Sequence, residues 1–157
     1  MRNQKGFSLI ELILVVSVIL IISAIAVPNF LRSRMRANEA SCSSSIRAID
    51  TAAITYSVAY PDVGFPATLN LLGGAGPCSA SPASACMIDD NLAQGAKSGY
   101  AFVWVGDGAT PSVSFTIAAT PQAPGSSGQS TYCSDQTAVI HFDFTGAPCT
   151  NASQVLQ

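Results

Sequence analysis

A single carboxylate stands in an otherwise apolar stretch. From Gly6 to Val27 the chain reads GFSLIELILVVSVILIISAIAV, and Glu11 is its only ionisable side chain. A carboxylate in hydrocarbon costs roughly 2.5–3.5 kcal/mol on insertion scales, so an acid kept there points to a function. The chemistry open to it is charge neutralisation of a cation brought into the same low-dielectric surroundings. Other reactive types are sparse. His141, the one histidine, shares a strand face with Asp143, and such a pair can orient an imidazole for catalysis or metal binding. No nucleophile or further ligand can be placed beside it, which favours a solvent-facing structural pair. Asp89 and Asp90 are two adjacent acids, a weak calcium signal that suits helix capping better. Asn151-Ala152-Ser153 matches a glycan-acceptor sequon, again a weak signal. No catalytic constellation, cofactor motif or metal-ligand spacing emerges, so the residues point away from an enzyme.

The apolar stretch must be a helix to carry Glu11 through a membrane. The 21 residues Phe7 to Val27 rise about 30 Å as a helix, the thickness of a hydrocarbon core. A cleaved secretory signal would be shorter, would end in small residues of the Ala-x-Ala type and would not hold an acid at its entrance. Beyond Pro28 the helical period continues: Cys42, Ile46, Ile49, Ala53, Tyr56 and Tyr60 recur at four- and three-residue steps, forming one apolar stripe. Pro61 ends it, since proline lacks the amide donor and clashes with the preceding turn. The spacing therefore predicts one long helix over 7–60, kinked near Pro28.

Residues 61–97 are rich in Gly, Pro, Ser and Ala and read as a surface linker, with Asp89 or Asp90 capping a short helix. Tyr100 to Val105, Val113 to Thr120 and Ala138 to Phe144 then alternate in the strand period, with a short strand also open around Thr131 to Cys133. Tyr100, Phe102 and Trp104 share one face, Phe115 and Ile117 another, and Ile140, Phe142 and Phe144 a third. These segments predict an α+β fold, with a three- to four-stranded antiparallel sheet packed against the long helix. The expected parts are a leader, 1–6; a membrane half-helix, 7–28; an amphipathic half-helix, 29–60; and a globular head, 61–157. Within the head, the sheet occupies 98–145 and a C-terminal loop 146–157.

Charged residues make up 10% of the 157. Beyond residue 6 only Arg32, Arg34, Arg36, Arg47 and Lys97 oppose nine acids, giving no general surface for nucleic acid. Three of those cations directly follow the apolar stretch. With the N-terminus on the cytoplasmic side they face outward, against the positive-inside tendency.

Lys5-Gly6-Phe7-Ser8-Leu9-Ile10-Glu11 resembles the prepilin peptidase site of type IV pilins and of the pseudopilins of type II secretion systems. The resemblance covers Met1 to about Asn38 closely and is only general beyond. It implies cleavage between Gly6 and Phe7, N-methylation of the new Phe7 amine, a kinking role for Pro28, and the pilin fold for the head. It also places Glu11 where the family keeps its glutamate. Glu11 of one subunit would then neutralise the Phe7 ammonium of another and register the subunits. The competing reading is an ordinary signal-anchor helix with a stray acid.

Five cysteines, Cys42, Cys78, Cys86, Cys133 and Cys149, suit an oxidising extracytoplasmic compartment. Cys133 and Cys149 bracket the last strand and match the placement of the disulfide-bounded region of many pilins. Cys78 and Cys86 flank a loop of small residues. Cys42 is then left as a buried thiol on the helix stripe, although a link from Cys42 to the loop cysteines is also open.

The resemblance implies a structural subunit of a type IV pilus, held in the inner membrane as a precursor and assembled into a homo-oligomeric helical surface filament. Its implied partners are a prepilin peptidase and an assembly platform with its ATPase. The alternatives are a pseudopilin of a periplasmic pseudopilus and, in a different class, a minor pilin that binds DNA or a surface. The scarcity of basic residues in the head argues against the last.

Overall fold

The computed structural model describes residues 7–74 and 76–156. Helix α1 runs Leu9–Ala59 with Pro28 inside it. The peptide of Pro28 offers no N–H, so the carbonyl four residues earlier has no intrahelical donor. One residue further on, the side-chain amide Nδ2 of Asn29 donates to the Ile25 carbonyl at 3.1 Å. The helix stops at Ala59 because Tyr60 precedes Pro61, a position disfavoured for α geometry. The chain divides into two compact units, Met1–Arg34 and Met35–Gln157.

In the second unit, the expected stripe is the buried face of α1. Cys42, Ile46, Ile49, Ala53 and Tyr56 are wholly buried, and Tyr60 packs at the margin of the core. The sheet is wider than the three to four strands expected. Six strands lie in sequential order, each antiparallel to the next: β1 Ala96–Lys97, β2 Tyr100–Gly106, β3 Phe115–Pro121, β4 Thr131–Asp135, β5 His141–Asp143 and β6 Gln154–Val155. The two additional strands are the two-residue edges, too short to show a period in sequence. β1 returns to β2 through Ser98-Gly99, both at positive φ, the backbone that a two-residue hairpin turn of primed type requires.

Two strand boundaries differ from the alternation pattern because turn contacts divert the backbone. Val113 and Ser114 donate their N–H groups to the Asp107 carboxylate at 2.9 and 3.0 Å, so β3 begins only at Phe115. Ala138 sits at φ 57° with its N–H bonded to the Asp135 carbonyl, so β5 begins at His141 rather than Ala138.

The segment 61–97 is not a surface linker throughout. Leu69 and Leu72 of a short 3-10 helix, Leu69–Leu72, are buried with Ala85 and with Leu92 of helix α2, Asp90–Ala93. Backbone bonds from Ala85 to Leu71 and from Met87 to Leu72 pin the segment, and the Tyr56 hydroxyl donates to the Pro82 carbonyl. Its Gly/Pro/Ser content concealed these apolar anchors. Trp104 stacks on Phe115 with centroids 4.3 Å apart and donates its indole N–H to the Pro66 carbonyl.

Candidate functional site: the exposed apolar segment and the head it carries

In the first unit the apolar side chains find no cover. Leu9 is 75% exposed, Ile21 64% and Phe30 67%. A helix of this length and composition can cross a membrane. In water such a surface is a large liability, so it needs lipid or protein around it. Its hydroxyls are handled partly within the helix, as where Ser17 donates to the Leu14 carbonyl at 2.8 Å. Glu11, on the first helical turn, is exposed, and a carboxylate in the first turn also benefits from the helix dipole. Phe7 precedes α1 and is 78% exposed. Gly6 lies outside the described residues.

The head has no such uncovered core. Acidic side chains act mainly as local anchors. Asp89 caps α2 through the Leu92 N–H and pairs with Lys97 at 2.7 Å, while Asp90 accepts the Gly74 N–H. The bond from Lys97 holds the Asp89 carboxyl below the usual carboxylate range. Both acids are thus engaged in capping and turn contacts. Among the described residues, no group of three or more His, Cys, Asp or Glu side chains is placed to hold a metal. His141 places Nδ1 3.0 Å from the Ser153 carbonyl, and the Asp143 carboxylate accepts from Thr145, so the two are held by different partners.

Glu39 of α1 accepts the N–H groups of Gln129 and Ser130 at 2.9 and 3.1 Å, and Asn38 donates to the Ser127 carbonyl at 2.8 Å. The long β3–β4 loop is thereby tied to the helix. Replacing Glu39 by Ala is expected to lower hydrogen-exchange protection of the Gln129 and Ser130 amides by roughly fivefold to tenfold, the value of about 1 kcal/mol per bond. Unchanged protection would show that the loop is held by other contacts.

The C-terminal segment forms a strap across the outer face of β4. Three outward residues of the strand, at two-residue spacing, each engage a strap residue at the same spacing. The Thr131 hydroxyl donates to the Ala147 carbonyl, Cys133 is disulfide-bonded to Cys149 with Cα atoms 5.6 Å apart, and Asn151 donates to the Asp135 carboxylate at 2.7 Å. All five residues of β4 are consequently buried. The sequon asparagine is used as a strap anchor. Burial opposes ionisation of Asp135, but bonds from Thr137 and Asn151 together hold its carboxyl below the usual range. Cys78 is bonded to Cys86, with Cα atoms 6.1 Å apart. Cys42 is free and wholly buried. Burial, then the Glu39 charge, pushes its thiol up, leaving it protonated and unreactive.

The inward residues of β4 include Ser134, whose hydroxyl donates to the Asp50 carboxylate of α1 at 2.8 Å. Asp50 is 3% exposed, and its other oxygen, Oδ1, has no hydrogen-bond partner among the described residues. Nothing in the apolar period of the helix marked Asp50 as inward. Its position, one residue after Ile49 and four after Ile46 on the same face, is the signal available in sequence.

An uncovered apolar helix with one acid, continuous in sequence with a helix-on-sheet head, is an α+β arrangement consistent with the pilin fold. Residues 1–27 match the family model described as the prokaryotic N-terminal methylation motif. The N-terminal segment thus resembles those of type IV pilins. Over 39 residues the chain is 54% identical to the type IV wide pilus major component PilA4 of Thermus thermophilus, covering 25% of this chain and 30% of that one. Over 50 residues it is 40% identical to the type IV major pilin protein PilA of Myxococcus xanthus, covering 32% of this chain and 23% of that one. The chain therefore spans less than a third of the length of either relative. No solved structure matches it.

Proposed function

We propose that the chain is a structural subunit of a type IV pilus, stored in the inner membrane as a precursor and assembled into a helical surface filament of its own copies. The observation that carries this reading is the exposed apolar segment from Phe7 to Phe30 with Glu11 as its one charged side chain. Lipid covers it before assembly and neighbouring subunits cover it afterwards. The relatives with matching N-terminal segments are both major pilus components by name, which favours a pilus over a secretion pseudopilus.

In this reading a prepilin peptidase cuts between Gly6 and Phe7, and the new Phe7 amine is methylated. The peptide carbonyl carbon of Gly6 is attacked by water, and the C–N bond to Phe7 breaks. Glycine on the leaving side presents no side chain to the protease. The amine that results stays protonated near neutral pH and is the cation for which Glu11 is kept. An assembly platform with its ATPase supplies the work, and Pro28 supplies local freedom in the helix ladder through its missing donor. The disulfides of the head suit the oxidising side of the membrane.

Replacing Gly6 by Val is the direct test of the processing step. The precursor should accumulate in the membrane at its full length, and sheared surface fractions should lack the protein. A Gly6→Val chain still cut immediately before Phe7 would overturn the cleavage assignment.

A further inference from the structure

We propose that Arg32 and Arg34 form a phosphate-binding collar that grips phospholipid headgroups on the outer surface of the storage membrane. The proposal rests on the anchored-precursor reading above and identifies the lipid chemistry the anchor recognises. Both arginines are exposed, and both belong to the N-terminal unit. The basic run continues in sequence with Arg36.

Their position along the helix fits headgroup depth. The apolar stretch ends at Val27, and Arg32 and Arg34 follow it by about 8 and 10 Å of helical rise. The headgroup layer occupies roughly 5–8 Å on each side of the hydrocarbon. Helical side chains lean toward the helix N-terminus, which here is back toward the membrane, and an arginine stem can snorkel along it. The guanidinium groups therefore reach the phosphate layer, and their planar fork matches two phosphate oxygens.

Their position around the helix fits a surface rather than one docked partner. Two residues apart at about 100° each, Arg32 and Arg34 leave the axis on nearly opposite sides. A protein docked along one face engages one of them. A layer of phosphates surrounding the helix engages both.

Neither arginine is ion-paired among the described residues, which leaves both free for an external anion. Among the described residues the only ion pair is Lys97 with Asp89. The other acids are mostly engaged elsewhere: Glu39 by the β3–β4 loop, Asp50 by Ser134, and Asp107, Asp135 and Asp143 by their own turns. Outward-facing arginines that violate the positive-inside tendency thereby gain a role: they hold the stored subunit at a defined depth until assembly extracts it.

The test uses the full chain inserted in phosphatidylcholine nanodiscs containing a minority of phosphatidylglycerol, with retained lipids counted by native mass spectrometry. The wild-type chain should carry a shell enriched in phosphatidylglycerol. R32Q/R34Q should lose that enrichment by about fivefold for each arginine removed, and R47Q, altered in the head, should keep it. Glutamine preserves helix propensity, and far-UV circular dichroism checks the helix. A second measurement labels the arginine guanidinium carbon and reads its proximity to lipid phosphorus by solid-state NMR; the signal should weaken in R32Q/R34Q. Equal enrichment in both variants would overturn the collar, as would guanidinium contact with the carboxylates of a second copy in place of phosphorus. A chain recovered free of lipid would overturn the anchored-precursor reading and the collar together, whereas an inserted chain without enrichment overturns the collar alone.

Discussion

Replacing Glu11 by Val should leave a processed, membrane-inserted protein and remove nearly all filaments in cells that lack other subunits. Two effects act in the same direction. The valine relieves the cost of holding a carboxylate in hydrocarbon, roughly 2.5–3.5 kcal/mol, which stabilises the stored state. In the proposed filament it would also leave the Phe7 ammonium of the neighbouring subunit without its partner. Breaking one member of a buried ion pair costs about 3–5 kcal/mol, roughly two to nearly four orders of magnitude in the association constant for each addition. Glu11→Gln keeps the shape without the charge and should assemble almost as poorly. Sheared filament yield, with membrane-bound subunit as the reference, measures both. Normal yield from Glu11→Val would contradict a role for charge in registering subunits.

Replacing Asp50 by Asn should change how head stability depends on pH. Burial, partly offset by the Ser134 bond and assisted by the Asp135 charge, pushes the Asp50 carboxyl up to about 6 from an ordinary 3.8. Between those values the native state holds a proton that the unfolded chain has released. Stability from this group is therefore fully present below about pH 4 and is lost as pH rises through about 6. A displacement of that size is worth roughly 3 kcal/mol. The groups around Asp50 are Ser134 and Asp135 on β4, and Asp135 in turn feels His141 on β5. Asp135 and Asp143 carry lowered values and pull the wild-type curve the other way, so the informative quantity is the difference between the two proteins. Urea titrations of the full chain in detergent should show the variant gaining on wild type by about 3 kcal/mol from pH 4 to pH 8. A difference independent of pH would mean that Asp50 titrates normally.

The helix stripe and the three principal strands could be read from sequence because each has an apolar face with a clean period. The edges and anchors could not. β1 and β6 are two residues each, shorter than any alternation can register. Residues 61–97 looked like linker because their composition is dominated by turn formers, while Leu69, Leu72, Ala85 and Leu92 carry the burial. The strap is a partial case. Its cysteine pair suggested a closed loop, but the flanking contacts of Thr131 with Ala147 and Asp135 with Asn151 depend on a register that only the folded sheet sets. Conversely, Glu11 is plain in sequence, and no side-chain contact among the described residues explains it. In the proposed filament its partner would be the Phe7 amine of a second copy.

Intact mass of the subunit in sheared surface filaments decides whether the apolar segment is processed at Gly6 and carried into a pilus. The filament subunit should begin at Phe7, carry one methyl group on its amine, and be lighter by four hydrogens for the two disulfides. A filament subunit that retains Met1 to Gly6, or one that begins downstream of Val27 without the apolar helix, would contradict that assignment.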